Sequence, residues 1–457
     1  MTSTDPFQRR YAHGIRGMTA SEIRALFAVA ARPEIVSLAG GMPFLGALPM
    51  DELRDLVDHV LANQGGIALQ YGGGQGDPAL REVLADLMSE EGIDASPDDI
   101  VTTVGSQQAL DLLARMFCDP GDVIVAEGPS YVGALSAFSQ YQVDVVHVPL
   151  DADGLDPDAL ESALDRLAAE GRRVKFLYVV PNFHNPAGVT LAAERRARVV
   201  ELARDHDVLI LEDNPYGLLG FDGQRLDALR AIDPDNVVYL GTLSKVFCPG
   251  LRVGWALVPP ALRDRLILVK EAADLCSSNL TEAIAARWFA ERQWRDTIKS
   301  FRELYRERRD ATVEALREGF GTFDPAHIGT ERPAFGTSGP SHTGTNLRPV
   351  FGTGDSVRWT NPDGGFYVWV TLPEALDTKV MLPKALNARV AYVPGNAFYA
   401  DDQGASSLRL CYSYPTPDRI REGVRRLVGV VNEELDLLRA LGELPGAPRG
   451  GAGGAGR

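Results

Sequence analysis

The chain has 457 residues, of which 45% are hydrophobic and 24% are charged, a composition typical of globular proteins with two or three domains. Its 46 lysine and arginine residues against 62 aspartate and glutamate residues give a formal net charge of −16. Because phosphate backbones and anionic lipid surfaces attract basic proteins, this charge argues against nucleic acid or a membrane surface as the main partner.

The four cysteines lie far apart and form no CxxC pair, so neither a disulfide framework nor a metal site is expected. The first ten residues contain no apolar segment, and no stretch reaches 18 apolar residues. We therefore expect a reduced, cytoplasmic protein that is neither exported nor inserted in a membrane.

From about residue 100 to residue 258, apolar strand-like runs alternate with amphipathic helical stretches. This alternation predicts an α/β fold whose large domain holds a mainly parallel, helix-covered sheet of seven strands. The predicted helices include residues 107–117, 157–169 and 191–205. The seven predicted strands are residues 100–104, 122–126, 143–148, 174–180, 208–212, 236–241 and 252–258.

After this region the sequence pattern changes. Residues 261–318 are almost wholly compatible with helix, and four short strands and a closing helix follow between residues 356 and 439, which predicts a small α+β domain. The glycine-rich end of the chain cannot bury a core and is expected to be disordered. We divide the chain into an N-terminal segment that packs on the small domain and the functional site (1–50), a large domain (51–318), a small domain (319–440) and a tail (441–457).

Residues 321–355 form a segment rich in Gly, Thr, Ser and Pro, with the near-repeat Arg332-Pro-Ala-Phe-Gly-Thr and Arg348-Pro-Val-Phe-Gly-Thr. A structureless loop of this length is unusual inside a compact domain. It is open to two interpretations: a lid or partner-binding loop, and a surface insertion, which costs a fold little.

Only six lysines are present, and Lys245 directly follows the predicted buried strand 236–241. The carboxyl ends of such strands are where open α/β sheets bind ligands. Thr242, Ser244 and Arg252 supply hydroxyls and a guanidinium, which together suit a phosphate group. Without such neighbours, a lysine at this place would be a solvated loop residue. The nearby hydroxyls and guanidinium favour a functional role for Lys245.

Three further segments follow predicted strands. Asp213 ends an apolar strand, where a buried carboxylate needs a cation or strong donor such as a protonated ring nitrogen; capping of the next helix is the equally good alternative. The turn Asn185-Pro-Ala-Gly188 would direct the Asn185 amide into the same crevice, although turn formation alone explains it as well. Gly105 and Ser106 open a helix whose N-terminal amides can bind phosphate.

Together these residues indicate a phosphorylated aldehyde cofactor bound to Lys245, and the chain resembles the fold-type I, class I/II pyridoxal 5′-phosphate aminotransferases. Within them it is similar to the 2-aminoadipate, kynurenine and multi-substrate subgroup. The resemblance covers about residues 15–435 and rests on ordered motifs: Ser37-Leu-Ala-Gly-Gly-Met-Pro, Gln70-Tyr71-Gly, Gly105-Ser-Gln-Gln-Ala, Gly128-Pro-Ser-Tyr131, Asn185-Pro-Ala-Gly, Asp213-Asn-Pro-Tyr216, Ser244-Lys245, Gly250-Leu-Arg252 and Leu408-Arg409-Leu.

The resemblance implies a role for each matching residue. Lys245 would bond the cofactor and then serve as base and acid in a 1,3-proton shift, while Asp213 would keep the pyridine nitrogen protonated. Asn185 and Tyr216 would hydrogen-bond the cofactor O3′, and Tyr131 would stack on its ring. The remaining cofactor-binding residues would be Ser106, Gln107, Thr242, Ser244 and Arg252 at the phosphate, Pro215, and Tyr71 from the partner subunit.

The contribution of Tyr71 implies a homodimer with active sites shared across the interface. Arg409 would grip the α-carboxylate of an L-amino acid or 2-oxo acid through a bidentate pair, although without the family pattern it would be an exposed strand arginine. Arg24 would meet a distal carboxylate and swing aside for apolar substrates, or else lie on a solvated helix face. The substrate-binding residues would thus be Arg409, Arg24, Ser21, Gly40 and Asn185.

Transamination by a ping-pong mechanism, with a broad range of dicarboxylic, aromatic or aliphatic donors, is the leading hypothesis because the acid, the lysine and the carboxylate clamp are all present. The alternative is a specialised biosynthetic enzyme of the same fold that decarboxylates, eliminates, cyclises or oxidises an amino acid. A transcription regulator carrying this fold is disfavoured, because about 35 residues before Ser37 are too few for a DNA-binding domain.

Overall fold

The computed structural model describes residues 5–16, 32–291, 294–321, 357–401 and 403–442. The predictions for Ser21 and Arg24, for all but the first residue of the 321–355 segment, and for most of the tail lie outside the described residues. Two residues of the predicted tail are described: Leu441 ends the last helix and Gly442 caps it in the left-handed conformation. None of the described helices is long and apolar enough to cross a bilayer.

Within the described ranges the helices are α1 (His13–Arg16), α2 (Met50–Ala68), α3 (Pro78–Ser89), α4 (Ser106–Phe117), α5 (Val132–Ser139), α6 (Pro157–Ala169), α7 (Ala193–Asp205), α8 (Leu229–Ile232), α9 (Pro260–Asp274), α10 (Asn279–Glu291), α11 (Trp294–Phe320), α12 (Thr378–Asn387) and α13 (Pro417–Leu441). The strands are β1 (Val36–Ser37), β2 (Ile100–Val104), β3 (Val123–Gly128), β4 (Asp144–Asp151), β5 (Gly154–Leu155), β6 (Val174–Val179), β7 (Leu209–Asp213), β8 (Val237–Thr242), β9 (Val253–Leu257), β10 (Arg358–Trp359), β11 (Tyr367–Thr371), β12 (Val390–Ala391), β13 (Val393–Pro394) and β14 (Ser407–Cys411).

The large sheet has the strand order β2-β9-β8-β7-β6-β3-β4-β5. Strands β4, β3, β6, β7 and β8 run parallel to one another, and β9 runs antiparallel to both β8 and β2. All seven predicted strands are present, so the mainly parallel α/β fold is confirmed. The predicted number of strands is corrected to eight, because the two-residue strand β5 pairs back on the end of β4.

Strand β3 shows why these apolar runs form a sheet that is covered on both faces. Val123 and Val125 belong to the core shared with α6 and α7, whereas Ile124 and Ala126 belong to the core shared with α4 and α5. Successive side chains of a strand point to opposite faces, so a strand buried on both sides is mostly a continuous apolar run; in β3 the buried Glu127 interrupts this run. The loops at the carboxyl ends of the parallel strands therefore meet at one edge of the sheet.

A second sheet of order β10-β11-β14-β13 is antiparallel throughout. The N-terminal segment joins this part of the molecule, because β1 pairs with β12 and the Leu38 carbonyl accepts a hydrogen bond from the Cys411 amide at 2.7 Å. Helix α11 packs against α13 beside this sheet. Our division of the chain at residues 50, 318 and 440 stays a prediction.

Candidate active site

A cavity of about 300 Å³ lies between the loops at the carboxyl ends of the large sheet and the residues of β11 and β14. Tyr71 does not line it and is instead 77% exposed. The cavity brings together the other described residues that the sequence predicted for the site: Gly40, Ser106, Gln107, Tyr131, Asn185, Asp213, Pro215, Tyr216, Thr242, Ser244, Lys245, Arg252 and Arg409.

One end of the cavity is built to receive a phosphate. Gly105, with φ at +72°, precedes the first turn of α4, whose free amides face a ligand as the N-termini of helices do. Arg252 Nη1 donates to the Ser244 hydroxyl at 3.2 Å, and the Thr242 and Ser244 hydroxyls lie 2.9 Å apart. A guanidinium, two hydroxyls and a helix N-terminus together suit a phosphate dianion.

Asp213 lies buried at the end of β7. Its Oδ2 accepts a hydrogen bond from the Tyr178 hydroxyl at 2.8 Å, whereas its Oδ1 has no hydrogen-bond partner among the described residues. Burial raises the pKa of Asp213 to about 6, against the opposing effects of the Tyr178 hydrogen bond and of Lys245 and His184. Capping of the following turn is therefore not its role. A cationic N–H group would satisfy the free oxygen.

Lys245 follows β8, and its Nζ donates to the Gly41 carbonyl at 2.8 Å. Burial, together with the nearby Arg409 and Arg252 guanidinium groups, lowers the pKa of this amine to about 8, while Cys411 and Asp213 act in the opposite direction. A lysine with a pKa this close to neutrality exists partly as the free amine, which is the form that attacks a carbonyl carbon.

Arg409 on β14 is buried rather than exposed. Its Nη1 donates to Asn185 Oδ1 at 2.9 Å, and its Nη2 donates to the carbonyls of Ala39 and Gly40. Its Nε has no partner in the part of the chain that the structure describes. Among the described residues, no acidic side chain forms a salt bridge with it. A buried guanidinium without a counter-charge is costly unless a carboxylate reaches it, so this position suits the carboxylate of a small acid.

The sequence predictions missed Tyr178 and Tyr367. Tyr178 lies within β6 and reaches Asp213 across the sheet, and Tyr367 at the start of β11 has its hydroxyl 3.3 Å from that of Tyr216. Both pairings join residues far apart in the sequence, and neither tyrosine has a local motif. Only the strand order of the two sheets could have indicated them.

The cavity therefore combines a reactive amine, a carboxylate with a free buried oxygen, a phosphate cradle and a carboxylate-binding guanidinium. These groups fit the amino-acid substrate and each part of pyridoxal 5′-phosphate: the aldehyde, the ring nitrogen and the phosphate. The fold and the site together define a pyridoxal-phosphate-dependent enzyme of the α/β type.

Comparison with known proteins identifies the family. The profile of the family "Aminotransferase class I and II" matches residues 36–330, and the chain belongs to this family. It is 40% identical over 431 residues to an aromatic-amino-acid aminotransferase of Thermococcus litoralis, covering 94% of this chain and 95% of that protein.

Two solved structures carry the same fold. The kynurenine aminotransferase of Pyrococcus horikoshii, in complex with PMP, is 36% identical, with a TM-score of 0.83 and coverage of 94% of this chain and 98% of that one. The α-aminoadipate aminotransferase of Thermus thermophilus, complexed with N-(5′-phosphopyridoxyl)-L-leucine, is 31% identical, with a TM-score of 0.80 and coverage of 94% and 99%. This chain is thus an aminotransferase whose cofactor is pyridoxal 5′-phosphate.

Proposed function

We propose that this aminotransferase has a broad donor range and moves the amino group of aromatic, aliphatic and dicarboxylic L-amino acids to a 2-oxo acid. The observation that carries the proposal is the meeting of three groups in one cavity: the Lys245 amine, the Asp213 carboxylate and the Arg409 guanidinium. Among the described residues, Asp213 Oδ1 and Arg409 Nε have no hydrogen-bond partner and Arg409 has no acidic partner, so a ligand would complete the site.

Lys245 is the proposed covalent and proton-transfer residue. Its lowered pKa suits an amine that first bonds an aldehyde carbon and, once released, moves a proton to or from the substrate. Asp213 is proposed to hold a protonated ring nitrogen at its free oxygen. When bound, pyridoxal 5′-phosphate supplies a ring that accepts the electrons left at the substrate α-carbon.

Arg409 is proposed to bind the α-carboxylate of the substrate. Asn185 and the backbone carbonyls orient its guanidinium, and Asn185 would also contact the substrate and the cofactor O3′. The other proposed roles are O3′ binding by Tyr216, ring stacking by Tyr131, room for the substrate at Gly40, packing by Pro215 and phosphate binding by Ser106, Gln107, Thr242, Ser244 and Arg252.

The donor range is inferred from the relatives and from the cavity wall. The similar proteins are named for aromatic amino acids, kynurenine and α-aminoadipate. Met42, Val132 and Pro249 give the cavity an apolar part that suits an aromatic or aliphatic side chain. A distal carboxylate would be bound by Arg24, with Ser21 nearby, on the segment outside the described residues.

We propose a cytoplasmic homodimer as the working form. Tyr71 lies close in the sequence to two exposed apolar side chains, Ile67 and Leu69, which are 73% and 70% exposed. Asn279 Nδ2 donates to the Gln70 carbonyl at 3.1 Å and so orders the loop that carries this patch. An ordered, exposed apolar patch is typical of a subunit interface, and Tyr71 would cross it to reach the phosphate in the partner's cavity.

A half-reaction screen tests the proposal. Purified enzyme loaded with pyridoxal 5′-phosphate is mixed with one amino acid at a time, and the conversion of the cofactor to its amine form is followed by absorbance. We expect aromatic, aliphatic and dicarboxylic donors to convert it and to yield the matching 2-oxo acid. Lys245→Ala is the control that should remove the reaction. Release of ammonia, carbon dioxide or peroxide without cofactor conversion would contradict transamination.

A further inference from the structure

Tyr367 touches two of the proposed functional residues at once. Its hydroxyl lies 3.3 Å from the Tyr216 hydroxyl, and the Arg409 guanidinium carbon lies 4.3 Å from the centre of its ring. The rings of Tyr367 and Tyr216 meet edge to face, with centroids 6.0 Å apart. The side chain is buried and lines the cavity.

The backbone leaves room for this hydroxyl. A Cβ atom at Gly41 would lie 2.5 Å from Tyr367 Oη, so any larger residue at position 41 would displace the hydroxyl. The Gly41 carbonyl in turn accepts a hydrogen bond from the Lys245 amine. A phenylalanine would give the same ring contact with Arg409 without needing the space. The hydroxyl is therefore the part of Tyr367 that requires explanation.

A hydroxyl group donates one hydrogen bond through its proton and can accept a second hydrogen bond at its oxygen. In this structure the Tyr216 hydroxyl donates to the Tyr367 hydroxyl. If Tyr216 donates its proton to the cofactor O3′ instead, the Tyr367 hydroxyl is free to turn and donate to Tyr216. Hydrogen bonds in such a chain polarise one another, so the second bond strengthens the first. Burial raises the pKa of Tyr367, which keeps the phenol protonated and able to donate.

We infer that Tyr367 is a positioning residue whose hydroxyl donates to Tyr216 and strengthens its contact with the cofactor, while its ring face supports Arg409; this rests on the proposed role of Tyr216. One side chain of the antiparallel sheet thus links the cofactor contact to the carboxylate clamp.

The test measures the pH at which the visible band of the bound cofactor is half converted. A hydrogen bond to the deprotonated O3′ favours that form and lowers this midpoint. We expect Tyr216→Phe to raise the midpoint and Tyr367→Phe to raise it less, by on the order of half a pH unit. In the double variant, the loss of the Tyr367 hydroxyl should add nothing to the shift of the midpoint, because its effect passes through Tyr216.

The KM for amino acids should stay within about twofold in Tyr367→Phe, because the ring that supports Arg409 is kept.

Tyr392→Phe is the matched control. It removes another buried tyrosine hydroxyl, which donates to the Thr378 carbonyl at 2.6 Å outside the cavity, and should leave the midpoint unchanged. If Tyr216→Phe does not move the midpoint, the proposed role of Tyr216 and this inference fail together. If Tyr216→Phe moves it but Tyr367→Phe does not, or if the two shifts add, the inference alone is overturned. A tenfold rise in KM would also overturn it, because the hydroxyl would then act on the substrate.

Discussion

Asp213 makes the stability of the cofactor-free protein depend on pH. Burial raises its pKa from 3.8 to about 6, so the folded protein holds this proton more tightly than the unfolded chain. The contribution of this bound proton to the stability of the folded protein amounts to roughly 3 kcal/mol. It is fully present below about pH 4 and is lost as the pH rises through 6. We expect Asp213→Asn to raise the unfolding temperature of the cofactor-free protein at pH 7.5 and to raise it by only about a third as much near pH 4.5, measured by calorimetry.

Bound cofactor provides the control for this prediction. A protonated ring nitrogen beside Asp213 would stabilise the carboxylate, so Asp213→Asn should lower the unfolding temperature of the loaded enzyme at pH 7.5. An equal effect of the substitution at both pH values, with and without cofactor, would show that the buried charge is not the cause.

Arg409 allows a second prediction at the residue scale. Arg409→Lys keeps a positive charge but loses the planar fork that binds a carboxylate bidentately. We expect the KM for amino acids to rise about 10- to 100-fold while the affinity of the cofactor-free protein for pyridoxal 5′-phosphate, measured by fluorescence titration, stays within about threefold. A loss of cofactor affinity equal to the rise in KM would place Arg409 in the cofactor site instead.

The charged site residues could be predicted from the sequence, but their neutral partners could not. Asp213 ends a strand and Lys245 follows shortly after one, so each charge stands out from the apolar run before it. Tyr178 and Tyr367 belong to strands that are mostly apolar, where a tyrosine is also an ordinary core residue. Their contacts with Asp213 and Tyr216 depend on which strands are neighbours, and the residue pattern does not contain that information.

At the scale of secondary structure, the junction of β2 and α4 is where the backbone itself builds the phosphate cradle. Gly105 adopts φ of +72°, and a Cβ atom there would lie 2.4 Å from Arg252 Nη2. We expect Gly105→Ala to weaken the binding of pyridoxal 5′-phosphate more than tenfold, because both the strained backbone and the displaced guanidinium disturb the cradle. Fluorescence titration of the cofactor-free protein measures this.

Gly121→Ala separates the two causes. Gly121 also has a positive φ, of +88°, but a Cβ atom there would meet no atom of the described residues within 4 Å. This variant should lose about as much stability as Gly105→Ala from backbone strain, roughly 1 kcal/mol, and should keep its affinity for the cofactor. Similar losses of affinity in both variants would mean that general destabilisation, not the cradle, explains the result.

The elements that the sequence predicted are those with a repeated pattern. The seven strands 100–258 alternate with helices, and each was recognisable. Strand β5 was missed because two residues contain no periodicity. Helix α2 was not predicted either: only Leu56, Val60 and Ala68 of its 19 residues are buried, so its apolar face is too sparse to indicate a helix by pattern.

At the scale of the whole molecule, the net charge of −16 and the site have opposite signs. Lys245, Arg252 and Arg409 line one cavity, so an acidic protein presents a local cationic site to a phosphate and a carboxylate. Composition alone could not predict this, because it averages over the surface. The motifs along the chain did predict it: Lys245 and Arg252 follow a strand of the parallel sheet, whose carboxyl ends meet at one edge, and the family resemblance added Arg409 from the antiparallel sheet.

The shared-site dimer is testable by mixing two inactive variants. Lys245→Ala and Tyr71→Ala each damage every site of their own dimer. After unfolding and refolding together, half of the dimers contain one chain of each kind. If Tyr71 acts across the interface, one site of each mixed dimer has both defects and the other has none. We expect the mixture to recover about a quarter of the wild-type activity.

A mixture of Lys245→Ala with Asp213→Ala is the control and should recover no activity, because both residues belong to the same chain's cavity. No recovery with Tyr71→Ala would show that Tyr71 does not serve the partner's site.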